Sequence, residues 1–180
     1  MNTRRIVITG GPASGKTSII RELMQQNYTC FEEISRQITI DAKEKGIDQL
    51  FLTNPILFSK LLLKGRKAQF NKAETISNNI MFYDRGIPDI IAYLNYSKKK
   101  YPDFFTNTCK NNTYDTIFIL NPWEAIFEND SERYEDFEQA KEIHTHLVNT
   151  YKAYEYKLID VPFDSVVNRV SFILNYLEIN

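Results

Sequence analysis

The chain has 180 residues, 43% of them apolar or aromatic and 25% charged, with 22 Lys plus Arg against 23 Asp plus Glu and a formal net charge of −1. This is a globular composition of one domain's length, expected to span 1–180; it excludes disordered, collagen-like and mucin-like chains, and the near-neutral charge leaves no field to hold nucleic acid non-specifically. Cys30 and Cys109 lie far apart without CxxC spacing, Ile6 to Ile8 is too short for a signal-peptide core, and no later run is long enough for a membrane span, so a reducing cytoplasm and no membrane insertion are expected.

Arg5 to Thr9 (RIVIT) is β-branched and runs into Gly10 and Gly11, which predicts a short buried strand ending in a glycine turn. From Lys16 the apolar residues Ile19, Ile20, Leu23 and Met24 recur at helix spacing until Asn27. Tyr28 to Phe31 reads as a second short strand, and Glu33 to Lys45 as an amphipathic helix stopped by Gly46. Asn54-Pro55 opens a long helix through Ile76, with Phe58, Leu61, Leu62 and Ala68 on its apolar side and Gly65 as a local weakness. Asn79 to Tyr83 and Tyr114 to Leu120 are dense apolar runs, short enough for strands covered on two faces. Between them Pro88 to Tyr96 reads as a helix, and Ser97 to Thr113 as a helix end plus an irregular surface segment. Asn121 to Asp136 is polar and charged, a candidate lid over 121–137. Lys157 to Val161 is the last strand, and Asp164 to Leu177 the last helix. Five strands alternating with helices predict an α/β fold with a mostly parallel sheet and a ligand at its carboxyl ends.

Gly10-Gly11-Pro12-Ala13-Ser14-Gly15-Lys16-Thr17 satisfies G-x-x-x-x-G-K-[ST] between a predicted strand and a predicted helix, the context that the motif requires. Glycines let the backbone turn its N–H groups inward as an anion nest, and the helix start adds unpaired N–H groups and a positive dipole end. Lys16 then supplies a charge toward the β and γ phosphates, the Thr17 hydroxyl can ligate Mg²⁺, and the Ser18 amide can take the α phosphate. The bland alternative, a tight turn with an incidental lysine, leaves the Lys-Thr pair at the helix start unexplained.

Asp84 closes the apolar run Ile80 to Tyr83, where it can hold Mg²⁺ or accept a proton from an attacking hydroxyl, with Arg85 beside it; equally, it can cap the helix that starts near Pro88. Glu33 and Arg36 are three apart on a predicted helix and share a face, either as a solvated ion pair or as a pair that binds a polar acceptor. The charged stretch Asn129 to Asp136 carries Arg133, a lid cation for the γ phosphate or a compensated charge on a solvated loop. Lys60, Lys64, Arg66, Lys67 and Lys72 read as a solvated basic face, as do Lys98 to Lys100. His144 and His146, two apart on a helix, face different directions and do not form a metal pair.

Taken in order, Ile8 to Thr17, Glu33 with Arg36, Asp84-Arg85-Gly86-Ile87-Pro88-Asp89, Pro122-Trp123 and Val161-Pro162-Phe163 resemble the AAA-type P-loop NTPase domain related to the ribosylnicotinamide kinase-like portion of NadR, over nearly the whole chain. The resemblance implies an ATP-binding domain with strand order 2-3-1-4-5, close to nucleoside and nucleotide kinases. It further implies that Gly11 to Ser18 bind phosphates and Mg²⁺, that Asp84 and Arg85 serve the reaction centre, that Arg133 lies in the lid, and that Pro162 and Phe163 lie near the adenine. The expected activity is a Mg²⁺-ATP-dependent kinase acting on a nucleoside-like hydroxyl acceptor. In it Asp84 or Glu33 activates the hydroxyl, and Arg85 with Arg133 stabilises the transferring group. An ATPase or GTPase switch and a nucleotide-binding module without turnover are the alternatives.

Overall fold

The computed structural model describes residues 3–76, 78–127 and 135–179. In chain order the elements are β1 (Arg4–Gly10), α1 (Lys16–Gln25), β2 (Cys30–Phe31), α2 (Ser35–Glu44), α3 (Leu50–Thr53), α4 (Pro55–Lys72), β3 (Ile80–Asp84), α5 (Pro88–Tyr96), α6 (Phe104–Asn111), β4 (Thr116–Leu120), α7 (Phe137–Ala153), β5 (Leu158–Val161) and α8 (Val166–Tyr176). Among the described residues the five strands form one sheet in the order β2-β3-β1-β4-β5, and every pairing is parallel.

The dense apolar runs become strands because both faces are covered. Val7, Met81, Tyr83, Ile117 and Ile119 point into one core, under α4, α5, α6 and α7. Their sequence neighbours Ile6, Ile8, Phe82, Phe118 and Leu120 point into the other, under α1 and α8. A two-residue period with apolar groups at both phases leaves no solvent face, which is what a parallel sheet requires. Phe82 is wholly buried, so Phe82→Ala is expected to cost about 3–5 kcal/mol.

Helix starts follow local chemistry. Asn54 accepts from the Leu57 amide with Pro55 in the first turn of α4, and Asp136 and Gln139 form a reciprocal capping box at α7. Three expectations change. The segment 97–113 contains a helix, α6, whose Phe105 and Cys109 are buried one turn apart, so it packs rather than wandering over the surface. The long helix expected through Ile76 stops at Lys72 and tightens into a 3₁₀ turn over Ala73–Thr75. The helix expected from Glu33 begins at Ser35, which leaves Glu33 on the loop before it.

Because β1 is central, with β3 on one side and β4 on the other, the loop after β1 sits where the strand order reverses. In open parallel sheets that is the crevice that receives ligands. Among the described residues no helix is long and apolar enough to cross a membrane.

Candidate active site

A cavity of about 1520 Å³ opens at the carboxyl ends of the strands, bounded by residues 12–18 on one wall and by Glu33, Arg66, Asp84, Arg85 and Asp89 on the other. The loop between β1 and α1 has left-handed residues at Ala13 (φ 54°) and Gly15 (φ 87°), separated by Ser14, the alternation that turns successive amides toward an anion. Helix α1 starts without a side-chain cap, so its first N–H groups remain available to a ligand. Lys16 is buried, its Nζ donating to the Gly11 carbonyl at 2.6 Å and the Ser14 hydroxyl at 3.1 Å. Burial, reinforced by the Arg85 charge, pulls the Lys16 ammonium down to about 7 despite Asp84, Asp89 and Glu33 nearby. Thr17 and Ser18 are exposed on the same wall.

The opposite wall is assembled from four elements around Arg85. Strand β3 ends at Asp84, and Arg85 then takes a left-handed φ of 73°, a costly conformation for a side chain of this kind. Its amide donates to the Ile8 carbonyl at 3.0 Å, which ties it to β1. The guanidinium meets Glu33 at 2.6 Å, Asp89 at 3.4 Å and the Gly10 carbonyl at 3.2 Å. Glu33 also accepts from Arg66 at 3.2 Å on each oxygen and from the Ile34 and Ser35 amides at 2.9 and 3.0 Å. Burial pushes the Glu33 carboxyl up, but Arg66, Arg85 and the Ser35 amide outweigh it and bring the group to about 2. Glu33 is therefore ionised, with its acceptor capacity filled.

Glu33 thus pairs with Arg66 and Arg85 in place of the helix-face partner Arg36, which lies exposed at the cavity rim on α2. Arg66 is 4% exposed, against the expectation of a solvated basic face, and its Nη1 donates to the Gly86 carbonyl at 2.8 Å. The reason is its register: Ser59, Leu62, Leu63, Arg66 and Phe70 form one buried stripe of α4, at the 3.6-residue period that was available in the sequence. A Cβ at Gly65 would meet only the Cδ1 end of the Ile34 side chain, which places this turn of α4 close to the Glu33 loop.

Asp89, absent from the sequence-derived site, is fully buried in the first turn of α5. It accepts from the Thr9 hydroxyl at 2.6 Å, the Tyr151 hydroxyl at 2.5 Å and the Gly86 amide at 2.9 Å. The carboxylate that serves the start of α5 is therefore Asp89 and not Asp84, which removes the helix-cap alternative for Asp84. Asp84 is 5% exposed and its Oδ1 is buried without a hydrogen-bond partner among the described residues. Burial raises its carboxyl above the ordinary range, against the pull of Lys16 and Arg85. No group of three or more metal-ligating side chains converges among the described residues. The unpaired Asp84 oxygen and the Thr17 hydroxyl nevertheless match Mg²⁺, which takes one or two protein oxygens and completes its shell with phosphates and water.

Phe163 follows β5 and stacks on Trp123, ring centres 5.1 Å apart and 29° from parallel, with both Pro162 and Phe163 exposed. The neighbours Asp164, Ser165 and Val166, not Pro162 or Phe163, line the cavity. Arg133 and most of the charged stretch around it lie outside the described residues.

A family model described as AAA domain matches residues 5–169. No curated protein matches the sequence. Among solved structures, the chain is similar to a deoxyadenosine kinase from M. mycoides with products dCMP and a flexible dCDP bound, at TM-score 0.69 and 17% identity over 97% of this chain and 98% of that one. It is similar to NadR protein in complex with NR, at TM-score 0.74 and 17% identity over 99% of this chain and 52% of that one, so it spans about half of the NadR chain. It is also similar to a thymidylate kinase from Ehrlichia chaffeensis, at TM-score 0.66 and 15% identity over 98% and 100% of the two chains. At these identities the likeness is one of fold: the nucleoside- and nucleotide-kinase arrangement of a P-loop NTPase.

Proposed function

The chain belongs to the AAA domain family, and from that premise we propose that it is a kinase that transfers the γ-phosphoryl group of ATP to the hydroxyl of a nucleoside-like small molecule. The observation that carries the reading is one cavity of about 1520 Å³ with a phosphate loop on one wall and a buried charged cluster on the other. Single-ligand pockets run to about 300–1,000 Å³. A second substrate therefore has room, and a hydrolase orienting only water would need neither the space nor the second wall.

In this mechanism the loop amides and Lys16 hold the β and γ phosphates, and Arg85, fixed between Glu33 and Asp89, faces the transferring group. The acceptor oxygen forms the new P–O bond, the bond to the ADP oxygen breaks, and the hydroxyl proton passes to Asp84. The unpaired Oδ1 and raised carboxyl of Asp84 suit that role. Glu33 does not suit it, being held near 2 by burial outweighed by two arginines and an amide; it positions Arg85. Arg36 at the rim offers the acceptor a polar contact, and Trp123, which lines the cavity and stacks on Phe163 behind it, offers the base an aromatic neighbour. Thr17 would hold Mg²⁺ directly and Asp84 through a water, and the ion would supply charge neutralisation at the phosphates. Both cysteines are free thiols, in keeping with a reducing cytoplasm as the site of action.

ADP release from Mg²⁺-ATP across a panel of nucleosides and related alcohols tests the reading. Release that depends on the acceptor, with one phosphorylated product per ADP, supports the kinase; release at the same rate without acceptor assigns a hydrolytic switch instead. With the acceptor in hand, Asp84→Asn is expected to lower kcat about 100-fold or more while ATP binding persists. Full activity in a folded Asp84→Asn protein removes the proton-acceptor role.

A further inference from the structure

Three cations around the cavity face carboxylates. Lys16 lies in the fields of Asp84, Asp89 and Glu33, Arg66 reaches Glu33, and Arg85 bridges Glu33 and Asp89. Arg169 on α8 differs. It is 2% exposed, only burial acts on its titration, and among the described residues no carboxylate pairs with it. Its Nε is buried without a hydrogen-bond partner, its Nη2 donates to the Ser14 carbonyl at 3.1 Å, and its guanidinium lies 5.8 Å from the centre of the Trp123 ring. A guanidinium keeps its proton at any ordinary pH, so this charge is carried permanently into a poorly solvated place. A fold that retains such a charge has an anion to offer it.

The position says which anion. A Cβ added to Gly15 would stand 2.7 Å from Arg169 Nη1, so the guanidinium is pressed against the phosphate loop. In a trans peptide the carbonyl of Ser14 and the N–H of Gly15 point to opposite sides. A carbonyl drawn toward α8 therefore turns the Gly15 amide the other way, into the cradle.

We propose that Arg169 anchors the phosphate loop: it fixes the Ser14–Gly15 peptide, and its charge is balanced by the polyphosphate of the bound nucleoside triphosphate. The inference rests on the reading of residues 11–18 as a phosphate site and adds to it a fixed charge behind the loop, 155 positions away in the chain. The ligand class is a polyphosphate, and the nucleoside part plays no role in this contact.

Calorimetric titration of the 180-residue chain with Mg²⁺-ATP and with inorganic triphosphate tests it. Arg169→Met is expected to weaken both about 10- to 100-fold and by similar factors, as loss of a charged hydrogen-bonding group does. The salt dependence of binding should become shallower, and Arg169→Lys should recover part of the loss by keeping the charge. Unchanged binding, or weakening of ATP without inorganic triphosphate, overturns the proposal. If Arg169→Met does not fold, the Nε–H resonance of Arg169 in the unaltered protein decides: inorganic triphosphate must shift it, and an unmoved resonance overturns the proposal. Lys16→Ala separates the two readings. Loss of triphosphate binding there beside full binding in Arg169→Met removes Arg169 and leaves the loop; an unaltered protein that binds no triphosphate defeats both.

Discussion

The loop wall of the cavity, the phosphate wall of the proposed reading, occupies consecutive positions, 12–18, whereas the opposite wall draws Glu33, Arg66, Arg85 and Asp89 from four separate elements. The first depends on a loop conformation that a few glycines make accessible. The second depends on packing, because each charge there is satisfied only while its partners stay in place. Substitutions on the phosphate wall should therefore be felt through ligand binding, and those on the charged wall through the fold itself.

The largest expected effect tests that contrast directly. Arg66→Met leaves Glu33 and the Gly86 carbonyl short of a donor in a buried place. Breaking a buried ion pair from one side costs about 3–5 kcal/mol, and in a chain of this length each kcal/mol moves Tm by roughly 2–4 °C. Thermal unfolding without ligand should show a drop of roughly 6–20 °C. A change of a degree or less would mean that the charged wall is as separable as the phosphate loop.

Acid should attack the same wall. The folded Glu33 carboxyl lies near 2 against an ordinary 4.5, so its contribution is complete above the ordinary value and is lost as pH falls through the folded one. The amount at stake is ~3 kcal/mol. Asp84, shifted upward by burial, acts with the opposite sign, so the measurement is the difference between the protein and Glu33→Gln. Stability against pH between 4.5 and 2 should be flatter in the variant. Parallel curves would sink the assignment.

On the phosphate wall the expected loss appears only with ligand present. At nucleotide near 100 times Kd the linkage stabilisation is about 2.7 kcal/mol, several degrees in Tm. Lys16→Ala should abolish most of that shift and leave the unliganded Tm nearly unchanged. A full ATP-induced shift in the variant would reject phosphate binding by this loop.

The smallest effect is a proton. Burial, then Arg85, brings Lys16 to about 7, so above that pH the free side chain is mostly neutral, and binding of phosphate restores its charge. Nucleotide binding at about pH 8 should take up as much as about one proton, and affinity should fall as pH rises past the folded value. Calorimetry in two buffers of different ionisation enthalpy reads the uptake; identical heats after correction would place the Lys16 ammonium at its ordinary value.

Much of the fold was legible because its signals are local. The apolar runs at Ile6 to Ile8, Met81 to Tyr83 and Ile117 to Leu120 are strands wherever both faces are covered, and Asn54-Pro55 starts a helix by its own chemistry. The boundary at Glu33 was misplaced because its carboxylate takes the amides of Ile34 and Ser35. That local bond competes with helical geometry and delays the helix to Ser35.

The sequence by itself determined the glycine-rich turn between β1 and α1, the alternation of strands and helices, and the carboxylate at the end of β3, because each is set by neighbours along the chain. Only the tertiary structure decided the partners of the buried charges. Arg66 and Arg169 sit in apolar stripes of α4 and α8, and a helix pattern alone leaves two outcomes open: such an arginine can extend its head to water, or it can be buried against a group brought in by another element. The packing of α4 brings Arg66 to Glu33, and the pairing of β1 with β3 brings Arg85 to the loop. Those contacts join residues tens to more than a hundred positions apart, where the physical cause is packing, which no local spacing encodes.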